Sequence, residues 1–163
     1  MTIASIEVYN VVIFVHVAAA VLAFGPTFGY AFFQGIAERH FQRSIPNVMR
    51  AMGTVDRFLV IPGILVLLAA GIYLVLDGPW DWSDTFVSVG LMVVVILLVF
   101  QLAFFSRIEH TLAELAERDI AASGSGDVEL SDEYWAASKR SAIGGSLAGV
   151  LVLIAIFFMT VKP

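Results

Sequence analysis

Four stretches of this chain are apolar for long enough to cross a hydrocarbon core of ~30 Å, which takes about 20 helical residues. They run over roughly 9–33, 57–77, 85–106 and 143–160. A bilayer offers the backbone no water to bond, so each stretch has to satisfy its own N–H and C=O groups as a helix. Little chain remains outside them. The expectation is an all-α, four-helix transmembrane bundle, running up-down-up-down as a single membrane domain over residues 1–163. The composition agrees: 60% of the residues are hydrophobic, where a soluble domain has roughly 45 to 50%. The first stretch lacks a basic leader, is too long for the core of a signal peptide and passes through Gly25-Pro26 without a small-residue cleavage pattern, so it reads as a retained span.

The formal charge of −5 hides a segregation. Arg39, Arg43, Arg50 and Arg57 flank the first connection, and Arg107, Arg118, Lys139 and Arg140 surround the third, which accounts for eight of the nine basic residues. Basic loops stay in the cytoplasm. Both termini and the loop "DGPWDWSD" at 77–84 then face outward, with Trp80 and Trp82 at the outer interface, in the cytoplasmic (inner) membrane of a bacterium. The helices overshoot the bilayer on the cytoplasmic side. Ser44 ahead of Pro46 reads as the start of the second helix, and Ser131 ahead of Asp132 and Glu133 as the cap of the fourth. Between them "RIEHTLAELAERDIAA" continues as helix past the third span, with Glu114 and Arg118 four apart, until "SGSG" at 123–126 breaks it. The acidic residues of that connection read as a solvated face, with a docking surface as the alternative.

Small residues mark where helices approach. Gly25 and Gly29 form a pair on the first helix, and Ser141, Gly145 and Gly149 form a stripe on the fourth. They serve packing within the bundle or, alternatively, a homo-oligomer seam. Pro26 and Pro62 remove bonds to the carbonyls of Leu22 and Phe58 and bend their helices.

With no cysteine, disulfides, thiolate metal sites, iron–sulfur clusters and covalent haem attachment are excluded. The imidazole of His16 is the ionisable group set deepest in a span, ~10 Å below the outer surface at 1.5 Å per residue. At that depth it should be neutral, with a partner for each ring nitrogen. Ala19, Ala20 and Ala23 lie on its face and leave room for a flat group or for a neighbouring helix. Three readings stay open: a histidine bonded across the bundle, an axial ligand of haem b, and another metal or a proton relay. His40 and His110 lie outside the membrane, so a bis-histidine pair is not on offer. Met92 falls at a similar depth and is the candidate sixth ligand, against the commoner role of filler, and Met159 has the same status.

Asp56, beside Arg57 and six residues ahead of Pro62, is the second candidate. It is either a carboxylate favoured by the helix start or a proton or cation site beneath an opened turn. Gln101 and Gln34, toward the inner leaflet, can bond across helices or hold water. No nucleotide-binding, zinc-hydrolase or serine-hydrolase motif is present, no metal cluster is suggested, and nothing points to nucleic acid.

"VHVAAAVLAFGPTFGY" followed by "VDRFLVIPGILVLLAAGIYLVLDG" resembles the bacterial four-span proteins of domain of unknown function 2269, which implies a four-helix membrane bundle. An early histidine followed by small residues is also similar to the HemJ type of protoporphyrinogen oxidase and to copper-resistance D membrane domains. The HemJ resemblance implies haem binding at His16. That pattern also has a basic residue in the third span, where "FVSVGLMVVVILLVFQLAFF" has none.

Three functions follow. The first is haem b, or a similar redox group, at His16 for electron transfer or oxidation of a membrane-soluble substrate. The second is a non-catalytic accessory subunit of a membrane complex, and the third a small transporter or proton-conducting protein using Asp56 and Gln101.

Overall fold

The computed structural model describes residues 3–162, and side chains from residue 8. The chain forms four long rods. The first is the single helix α1, Ile3–His40, which passes through Pro26 without a break. A short tight turn at Gln42–Ser44 leads into the second rod, made of α2, Ile45–Val55, and α3, Ile61–Asp77. The third is α4, Thr85–Phe100, with α5, Ser106–Ser123, and the fourth is α6, Asp132–Val161. All four rods are long and apolar enough to span a membrane. Among the described residues there is no strand.

Neighbours in sequence are neighbours in space. α1 lies on α3 and α2, α3 on α4, α4 and α5 on α6, and α6 returns to α1, which closes the ring. Inside lipid there is no hydrophobic drive between helices, so close approach and dispersion hold the rods together. Gly63 shows how: a Cβ placed there would stand 3.1 Å from the Ala23 Cβ, so α1 and α3 meet almost backbone to backbone. Ala23, Val60 and Ile64 are buried at this crossing.

At the arginine-bearing end the rods continue into a compact head. Ile45, Met49, Leu112, Ala116 and Tyr134 form its core, with Ala37 from α1. α2 and α5 are amphipathic and supply most of it, as a water-facing helix must. Polar ties hold the rim. Arg43 donates to the carbonyls of Gly124 at 2.8 Å and Gly126 at 2.7 Å, fixing the turn that ends α5. Arg50 pairs with Glu117. Arg118 does not use Glu114, one turn away; it reaches Glu133 at 2.6 Å and Ser131 at 3.0 Å, because the start of α6 folds back beside it. Ser131 caps α6 by accepting from the Tyr134 N–H at 3.3 Å. Ser44 precedes α2 without a side-chain cap, and Pro46 sits in the first turn.

At the opposite end the Trp80 indole donates to the Tyr9 hydroxyl at 3.2 Å, and the Lys162 ammonium lies 4.0 Å over the Trp80 ring. That contact ties the end of α6 to the α3–α4 connection.

Candidate functional site

Two of the rods are interrupted at the same level. In the second rod residues Asp56–Val60 form a π-turn, in which the Ile61 N–H bonds back to the Asp56 carbonyl. In the third, Gln101–Phe105 form another, with the Ser106 N–H on the Gln101 carbonyl. A π-turn squeezes one extra residue into the ladder, widens the helix and re-aims its side chains, and such turns recur at functional sites. The sequence shows only Pro62, which cannot donate to the carbonyl four residues back.

Each π-turn opens with a polar side chain, and the two meet. The Gln101 amide donates to Asp56 Oδ2. Tyr30, arriving from α1, donates its hydroxyl to Asp56 Oδ1 at 2.7 Å and lies 3.4 Å from the Met52 carbonyl. Glu109 joins the group from α5, its buried carboxyl lying against Gly53, three residues before Asp56. Asp56 is 4% exposed and Glu109 7%. The second Glu109 oxygen, Oε2, is buried without any hydrogen-bond partner. It lies beside Gly53, where a Cβ would stand 3.2 Å away.

The chemistry of this cluster follows from its donors. Asp56 accepts from Tyr30 and Gln101, one on each oxygen, which is the pattern of an ionised carboxylate. Two ionised carboxylates buried side by side away from water repel strongly, and a single proton on Glu109 would remove that repulsion. The group can therefore hold one exchangeable proton at the level where the apolar part of α3 begins. Among the described residues no three histidine, aspartate or glutamate side chains come together as a metal site.

Asp56 and Gln101, separate candidates in the sequence, are thus brought into direct contact. Tyr30 and Glu109 were not singled out there. Glu109 reads as one more charge on a solvated helix extension. Its eight-residue spacing from Gln101, two turns on one face, is the signal that groups them. Gln34 lies in a second cluster, where Glu38 Oε1 accepts from Gln34 at 2.9 Å, Tyr134 at 2.9 Å and Ser138 at 2.7 Å. With three donors on one oxygen, that glutamate is a structural tie between α1 and α6.

His16 lies elsewhere. Its Nδ1 is 3.0 Å from the Leu67 carbonyl. A carbonyl only accepts, so Nδ1 carries the hydrogen and Nε2 keeps a lone pair. The contact is possible because Gly71, whose N–H bonds the Leu67 carbonyl in the α-helical ladder, has no side chain to cover it; a Cβ there would stand 3.1 Å from His16 Cε1. Leu67 is ten residues from either end of the 57–77 span, so the imidazole sits about 15 Å from both ends, deeper than a count along α1 suggests. The alanine face beside it is taken by α3: Ala19 and Ala23 are buried. Met92 is 55% exposed on the outer surface of α4. Met159 instead packs on Gly90.

The marked small residues do not all sit at crossings. Gly25 and Gly145 have open space where a Cβ would be, Gly29 meets only Phe33 of its own helix, and Gly149 has Phe28 at 3.8 Å. Ser141 is half-buried on α6. His40 is exposed, and His110 is exposed beside Glu114 at 3.3 Å.

No curated protein and no solved structure matches the chain. Residues 10–163, nearly its whole length, match the family described as predicted integral membrane protein, DUF2269. With its four helices long and apolar enough to span a membrane, the chain belongs to that family of predicted integral membrane proteins, domain of unknown function 2269.

Proposed function

We propose that the protein is a proton-handling membrane protein, a small transporter or proton conductor, whose working group is the Asp56–Glu109 pair held by Tyr30 and Gln101. One observation carries the reading: two carboxyls, Asp56 and Glu109, both buried in one cluster, with Glu109 Oε2 lacking a partner at the edge of the apolar span. A buried carboxyl with an unmade bond is costly, by ~1–3 kcal/mol for the missing partner alone. Ionisable groups kept at such a cost within a membrane bundle mark proton and ion paths. The paired π-turns supply the local give that uptake and release require.

Reconstitution into liposomes with an internal pH dye tests this. Under a potassium-diffusion potential, proton entry should be at least tenfold faster with the native chain than with Asp56→Asn or Glu109→Gln. Flux indifferent to both substitutions sinks the reading.

Haem b at His16 is the second reading. Its support is the Nδ1–H bond to a backbone carbonyl, which fixes the tautomer and ring direction as the outer hydrogen bond of a ligating histidine does. The residues as packed do not fit a porphyrin, because α3 fills the alanine face, so α1 would have to part from α3. A visible spectrum after haem-supplemented expression, beside His16→Ala, decides it. The placement of arginines supports the bacterial cytoplasmic membrane with both termini outward. The third reading, an accessory subunit, rests on the exposed faces of α1 and α6.

A further inference from the structure

The Tyr30–Asp56 bond fixes the height of α1 against the start of the apolar run in α3. From it the bilayer boundary on α1 lies near Tyr30, yet α1 stays apolar and uncovered beyond. Phe32 is 74% exposed, Ile36 49% and Phe41 60%. At 1.5 Å per residue Ile36 stands ~9 Å and Phe41 ~16 Å past the boundary. The headgroup layer is only about 5–8 Å deep on each side, so hydrocarbon does not reach these side chains. A contiguous apolar surface facing water marks an interaction site.

The same surface is concave. A cleft of about 510 Å³ between α1 and α2 is lined by Phe33, Ile36 and Phe41 on one side and Val48, Ala51 and Val55 on the other. A second hollow of about 300 Å³ continues along α1 and α3 inside the membrane, between Val15, Ala18, Leu22 and Leu59, Pro62, Val66. Both lie in the seam between the first two rods. Along the second rod the lining residues advance by three or four from Ser44 to Val66, one face throughout, over ~33 Å. Two helix widths of ~10 Å make this roughly 650 Å², near the ~800 Å² per partner of a stable interface.

The occupant has to be apolar, about 22 helical residues long, and continuous from bilayer into the aqueous head. A lipid chain spans only half the ~30 Å hydrocarbon core. We infer that the seam between α1 and the second rod is a homodimer interface, filled by α1 of a second copy. A two-fold axis along the membrane normal places each residue opposite its counterpart at the same height, so the exposed α1 residues Phe14, Val21 and Phe32 meet the partner's groove within the membrane and at its inner edge. The open surface at Gly25 lets the two α1 helices come close within the lipid.

The chain has no cysteine, so introduced ones report without background. In native membranes Phe32→Cys should form a disulfide-linked dimer on mild oxidation, and Val99→Cys, also exposed but on the third rod, should not. Ala51→Trp, which fills the groove in the aqueous head, should lower the Phe32→Cys dimer yield at least tenfold; Ala18→Leu does the same within the membrane if Ala51→Trp does not fold. Photobleaching of single labelled molecules in liposomes should show two steps for the native chain and one for the groove-filled variant. Single-step bleaching of the native chain overturns the proposal. So does linkage at Val99 equal to that at Phe32, and so does a yield unchanged by filling the groove, as a lipid or a different protein in the seam would give.

Discussion

Asp56 and Gln101 stand at the first residues of two π-turns on facing helices, and the amide of one donates to the carboxylate of the other. The widened turns and the polar contact are parts of one arrangement. A regular helix at either position would rotate everything beyond it by about 100° and carry the polar residue off the shared face.

Asn at position 56 keeps the shape of the side chain and replaces one acceptor oxygen by a donor. Tyr30 and Gln101 both need acceptors there, so one bond is lost and a buried donor faces another. Asp56→Asn should lower stability by ~1–3 kcal/mol. Thermal unfolding in mild detergent, followed by circular dichroism, checks this; an unchanged melting temperature would mean that the cluster is not formed.

Tyr30→Phe removes the 2.7 Å bond to Asp56 and leaves the ring in place. A loss of roughly 1.5–3 kcal/mol is expected, as for a hydrogen bond to a charged group. The loss should vanish when Asp56 is already Ala, which offers no acceptor, and a double-mutant cycle measures that coupling.

Gly71→Ala places a methyl group 3.1 Å from His16 Cε1. The imidazole would have to leave the Leu67 carbonyl, at a cost of about 1–3 kcal/mol from crowding and the broken bond. Gly25→Ala, with nothing within 4 Å, should leave the stability of the isolated protomer unchanged. Melting temperatures of the pair in detergent separate the two surfaces.

Arg43→Ala frees the carbonyls of Gly124 and Gly126. The turn after α5 should then open more often, seen as faster cleavage near 123–126 by a protease added to inside-out vesicles. A cleavage rate equal to the native one would show that the guanidinium does not hold the turn.

Much of the molecule was legible without coordinates. Four apolar runs, the break at Ser123–Gly126 and the cap at Ser131 each rest on local rules: span length, glycine, a side-chain oxygen before a helix. These appear in the structure where expected. His16, Asp56 and Gln101 were visible as polar atoms in apolar company, which is also a property of sequence. The marked glycines fared differently. Gly25 and Gly145 face open space, whereas Gly63 and Gly71 make the close crossing of α1 and α3, because spacing alone does not say which face of a helix meets a neighbour.

That the chain spans a membrane four times as helices follows from its apolar runs alone, since the backbone has no other way to satisfy its polar groups in lipid. Which polar residues meet depends on how the rods pack. Tyr30, Asp56, Gln101 and Glu109 come from three rods and lie up to 79 residues apart in the chain. Their meeting depends on two π-turns and on the height at which the rods lock together. Those are set by interhelical packing, where the sum of many small contacts outweighs the preference of any one residue, and no local rule contains that sum.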